Sequence, residues 1–151
     1  MTQPIRLLAL ACALVMTPAC AWLQLGEARL ENPVAAARTI DQRAYALLHA
    51  YAALVEEAAD IVADPAAPMA LKRALGQAER AATPAAETLQ IAIFAYLRAR
   101  SDLEAASASG RTGIERAATA LSVAARRLNE ALAAAQTPIA ELESLVRVSR
   151  G

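Results

Sequence analysis

His49, Glu56 and Asp60 stand at i, i+7 and i+11, a spacing that places an imidazole and two carboxylates on one side of a helix. Those are metal-ligand types. Carboxylate-rich metal sites in helical bundles, however, draw inward-pointing ligands from several helices and usually include a Glu-x-x-His pair. No such pair occurs, and the three residues lie opposite the strongest apolar stripe of their segment, which marks a solvated face. Tyr45, Tyr51 and Tyr96 fall on apolar stripes, where each is expected to pack in the core with its hydroxyl at the boundary. No serine, threonine or cysteine has a histidine partner suggested by motif, and no glycine-rich phosphate loop is present. The sequence therefore names no catalytic residue, no cofactor and no metal site.

Cys20 carries the remaining chemistry. Arg6 and the amino terminus form a positive head, Leu7 to Met16 is an unbroken apolar run, and Thr17-Pro18 precedes the small residues Ala19-Cys20-Ala21. This is the layout of a secretory signal peptide. Ala19-Cys20-Ala21 fits ordinary signal-peptidase cleavage, whereas Pro18-Ala19-Cys20 resembles the end of a lipoprotein box with Thr17 where leucine is usual. A third reading retains the segment as an inner-membrane anchor. Cys12 lies in the apolar run, so cleavage leaves at most one cysteine, and no structural disulfide is expected. Trp22 directly after an acylated Cys20 would sit at the headgroup level that indoles prefer. Ala21 in that position favours sorting to the outer membrane.

The chain has 151 residues with 15 basic and 15 acidic side chains, and it shows no polybasic or nucleic-acid signature. Alanine supplies more than a quarter of it, while aromatic residues make up 3%. Alanine favours helix and buries little area, so helices can approach closely with modest core energy per residue.

These features predict an all-α antiparallel bundle of three long helices, with a possible short fourth, behind a signal segment at 1–21 and a tether at 22–32. The bundle domain is expected over 33–151. Asn32-Pro33 reads as a cap and first helical residue, opening a helix to Ala63. Its seam is Ala37, Ile40, Ala44, Leu47, Tyr51, Leu54, Ala58 and Ile61. A second seam through Tyr45, Leu48, Ala52, Val55, Ala59 and Val62 predicts contact with two neighbours. A second helix is expected from Ala66 or Met69 to Ala106. It keeps one heptad phase across Thr83-Pro84, which favours a kinked helix over two separate ones. Thr112 and Glu115 have capping-box spacing before a third helix. Its seam runs through Ile114, Ala118, Leu121, Ala125, Leu128, Leu132 and Ala135, and then continues beyond Thr137-Pro138 or starts a fourth helix there. Lys72-Arg73, Thr83-Pro84 and Glu87 recur as Arg126-Arg127, Thr137-Pro138 and Glu141 at an offset of 54 residues; in so alanine-rich a chain, coincidence explains this better than duplication.

Thr39-Ile40-Asp41-Gln42-Arg43-Ala44-Tyr45-Ala46-Leu47, Glu56-Glu57-Ala58, Asp64-Pro65, Pro68, Lys72, Ala74-Leu75 and Thr83-Pro84-Ala85-Ala86 with Leu89 and Tyr96 form a pattern. It resembles that of a family of small proteobacterial and phage proteins that carry signal peptides and are labelled lipoproteins. The resemblance covers about residues 33 to 105. It implies an envelope location and a helical fold, with no assigned reaction. In that family the acylated cysteine usually lies nearer the helical domain; here Ala21 to Glu31 lengthen the tether.

Composition, export signal and resemblance together lead to the expectation of a non-enzymatic cell-envelope bundle. It would be held at a membrane by Cys20 or released into the periplasm, and would act through a protein partner or self-association. Two other roles fit less of the sequence. One is a bundle binding a lipid or metal, with Phe94, Tyr96 and Leu97 lining a pocket. The other is a prophage-encoded envelope factor for superinfection exclusion or lysis.

Overall fold

The computed structural model describes residues 39–109 and 113–150. All of them lie within one compact unit. Three helices form an antiparallel bundle: α1 (Ile40–Ala63), α2 (Met69–Ala108) and α3 (Ile114–Val148). No strand occurs among the described residues.

Helix α1 starts at Ile40, behind an extended Thr39 whose backbone N–H donates to Gln42 Oε1 at 3.2 Å in a capping box. This is later than the Asn32-Pro33 reading, which lies outside the described residues, as do the tether and the signal segment. The turn into α2 is an aspartate turn. Asp64 Oδ1 accepts from the Ala66 N–H at 2.8 Å, and the Asp64 carbonyl accepts from Lys72 Nζ at 2.6 Å. Pro68, with φ of −60°, then leads into the first turn of α2. Gly113 precedes α3 with φ of 142°, a conformation that a side chain would strain. The helix begins one residue after it, and Thr112 lies outside the described residues.

Both internal prolines are carried within continuous helices. Each removes one backbone donor, leaving the carbonyls of Arg80 and Ala134 without a helical partner. Arg80 and Ala134 are exposed, so water can hydrate those carbonyls. This explains why the helices survive and why no fourth helix forms after Thr137.

Helices α2 and α3 make the principal contact, and α1 packs more lightly against both. Leu75, Ala78, Ala82, Ala86, Leu89 and Ile93 are buried on α2, and each has a buried counterpart 53 residues later: Leu128, Ala131, Ala135, Ile139, Leu142 and Val146. The Thr-Pro dyads repeat at 54 residues, so they are one residue out of phase with the packing. A duplicated helix would keep both in step; coincidence stands.

The buried positions on α2 cover 18 residues in five steps, a period of 3.6 rather than 3.5. Ala86 and Ile93 accordingly take the deep positions that the heptad phase assigned to Ala85 and Ala92, which are half-buried beside them.

The core divides in two. Ala44, Leu47, Ala82, Leu89, Ile93, Leu128, Ala131, Leu132, Ala135 and Ile139 form the larger cluster; Ala58, Leu75, Ala78, Leu142 and Val146 form the smaller. Tyr51 and Leu54 pack against both. The Asp41–Arg100 pair joins the start of α1 to the far part of α2, so the end of α2 and the start of α3 run on past α1. Ile114 and Ala118, placed on a buried seam by their spacing, are exposed for that reason.

Candidate functional site

His49, Glu56 and Asp60 are all exposed on the outer face of α1. Among the described residues no group of three or more histidine, cysteine, aspartate or glutamate side chains is placed to hold a metal ion. Cys20 and the segment around it lie outside the described residues.

The three tyrosines part company. Tyr51 and Tyr96 are half-buried against the larger cluster, as their stripes predict. Tyr45 is 40% exposed, and so it is a surface residue and not a core one. The rest of its seam follows: Ala52, Ala59 and Val62 are exposed, while Leu48 and Val55 are partly buried. Helix α1 does touch two neighbours, through the first seam together with Leu48 and Val55 of the second, which pack on the two core clusters.

A polar relay crosses from α1 to α2 beside Pro84. Thr83 Oγ1 donates to the Glu79 carbonyl at 2.8 Å and lies 2.8 Å from the Tyr51 hydroxyl. The single proton of Thr83 is committed to Glu79, so Tyr51 is the donor in the interhelical bond. Each bond in such a chain polarises the next. Tyr51→Phe is expected to cost about 1 kcal/mol, the net worth of one hydrogen bond. In urea denaturation the double variant Tyr51→Phe/Thr83→Val should lose less than the sum of the two singles, whereas strict additivity would show that the hydroxyls do not interact.

Asp41 anchors the start of α1. The Thr39 hydroxyl bonded to its carboxylate holds its pKa below the usual range; partial burial opposes this, and the backbone N–H groups of Asp41 and Gln42 and the charge of Arg100 reinforce it. With the folded value below the unfolded one, this contribution is present at neutral pH and disappears as acid protonates the carboxylate. Arg150, after α3, pairs with Glu57 of α1.

Phe94, Tyr96 and Leu97 do not converge on one cavity. Tyr96 and Leu97 pack on the core, whereas Phe94 is 60% exposed. One concavity is a shallow, open depression at the start of α3, lined by Glu115, Arg116, Thr119 and Ala120. No described helix is long and apolar enough to cross a membrane.

The feature that stands out is on the outer face of α2. Ile91 is 69% exposed, and with Phe94 it sits on a stripe that continues through Glu87 and Arg98 at spacings of four, three and four, opposite the buried Leu89. Neither Glu87 nor Arg98 has an ion-pair partner among the described residues. Sequence periodicity passed over this face because the apolar seam of α2 was already complete without it. The signal was an isoleucine and a phenylalanine three residues apart and both off that seam.

No protein-family model matches the chain, and no curated protein or solved structure matches it.

Proposed function

We propose that this chain is an exported, non-enzymatic helical-bundle protein of the cell envelope, tethered to the outer membrane through an acylated Cys20 and acting through a protein partner or self-association. The observation that carries the binding role is the exposed Ile91–Phe94 pair on α2, on a face that the bundle's own core does not use. Two large apolar side chains held on a rigid helix are suited to a protein partner, because burying them from water favours association. Export and the tether rest on Arg6, the apolar run Leu7 to Met16 and the Ala19-Cys20-Ala21 segment. The resemblance to signal-peptide-bearing lipoproteins points the same way.

Expression from its own leader in a Gram-negative host, followed by crosslinking of intact cells, tests the binding role. The expected result is a crosslinked species that contains a second copy or one envelope protein and is lost in Phe94→Ala. A protein that crosslinks to nothing and sediments as a monomer would contradict it.

A further inference from the structure

We infer that the partner of the outer face of α2 is the same face of a second copy, paired antiparallel about a two-fold axis that passes between Ile91 and Phe94. The inference rests on the self-association branch of the proposed function and assigns it a surface and a geometry.

The outer face of α2 is self-complementary. In a two-fold interface, residue i of one copy meets j of the other and j meets i. Two antiparallel helices meet this condition when residues equidistant from the axis match in chemistry. Ile91 and Phe94 are equidistant from the midpoint between them, and so are Glu87 and Arg98. An antiparallel pair therefore sets Ile91 of one copy against Phe94 of the other, twice. It also sets Glu87 against Arg98, twice, on either side of the apolar centre. The same midpoint places Arg80 opposite Ala105, whose small side chain leaves room for the long arginine stem.

Charge also selects the direction. A parallel, in-register pair would put Glu87 against Glu87 and Arg98 against Arg98, like charges at both flanks. Within the described residues both groups are exposed and lack ion-pair partners, so nothing in the bundle has to release them. A lipid surface would fit this face poorly, since a bilayer-seated helix keeps its apolar face free of acidic groups and gathers lysine and arginine at the rim.

An interface with two apolar pairs at its centre is small and belongs with weak, transient contacts. Tethering both copies to one membrane through Cys20 confines them and raises their effective concentration, so that a weak contact becomes populated.

Sedimentation velocity of the full-length product as processed by a Gram-negative host, in one mild detergent throughout, tests the geometry. The variants are Glu87→Arg, Arg98→Glu, the two combined, and Phe94→Ala, each with helicity checked by circular dichroism. The expected result is a dimer that each single charge reversal weakens about tenfold or more, because two attractive pairs become repulsive. The combined reversal should recover the dimer to within about threefold, and Phe94→Ala should weaken it. A wild-type dimer indifferent to these changes would overturn the assigned face and leave self-association standing. A monomer that crosslinks to a different envelope protein would overturn the inference and leave the partner role standing. A monomer with no crosslinked species would overturn both.

Discussion

Replacing Leu128 by alanine is expected to destabilise the bundle by about 3 kcal/mol, in the middle of the range for buried leucines. Leu128 is fully buried in the larger cluster, on the α3 face against α2, where the principal packing lies. Among its cluster neighbours on α3 are Ala131 and Ala135, whose short side chains cannot swing into the space left by the lost methyl groups. The cavity therefore persists, and its cost adds to the lost transfer energy. Against a typical total of 5–15 kcal/mol, a loss of about 3 kcal/mol is a large share. It should lower the melting temperature by roughly 10 °C. Ile114→Ala, at an exposed position at the start of α3, should change stability by no more than about 0.5 kcal/mol. Thermal and urea unfolding followed by circular dichroism measure both. A Leu128→Ala effect below about 1 kcal/mol would mean that α2 and α3 do not pack in the described register.

The same alanine content that makes the core sensitive made the helices legible. The apolar spacing around Leu47, Leu89 and Leu132 identifies three helices, because few strand-forming residues compete and each seam is long. Continuity through Pro84 was also readable, since a true loop would rarely have preserved the phase. What spacing could not resolve is how much of a stripe is covered. In an alanine-rich chain nearly every stripe is apolar, so Tyr45 and Val62 looked as buried as Leu47 until the placement of both neighbours on one side of α1 left them exposed. Phase drift was likewise invisible: a 3.5-residue and a 3.6-residue seam diverge by less than about half a position over two heptads, and both positions are alanine at 85 and 86. The start of α1 was in the sequence as Thr39-Ile40-Asp41-Gln42, a capping box, but Asn32-Pro33 offered a rival start signal. The Ile91–Phe94 face was the least legible feature, because an exposed apolar pair becomes distinct only when the rest of its helix has been assigned to the core.

The second large effect concerns Cys20. If this residue is the acylated first residue of the mature protein, Cys20→Ala removes the acyl chains and with them the driving force of roughly 0.8 kcal/mol for each buried methylene. The bundle should then pass from the membrane fraction into the periplasmic extract, since the small residues at 19–21 would still fit ordinary signal-peptidase cleavage. The two-dimensional confinement that favours the α2 pairing would be lost with it. The most direct measurement is the intact mass of the mature protein expressed with its own leader in a Gram-negative host, beside the Cys20→Ala variant. The expected result is a wild-type chain that begins at Cys20 and carries diacylglycerol and acyl mass, both absent from the variant. A wild-type chain that begins at Trp22 would contradict the lipid tether, and one that retains Met1 would contradict export by cleavage altogether.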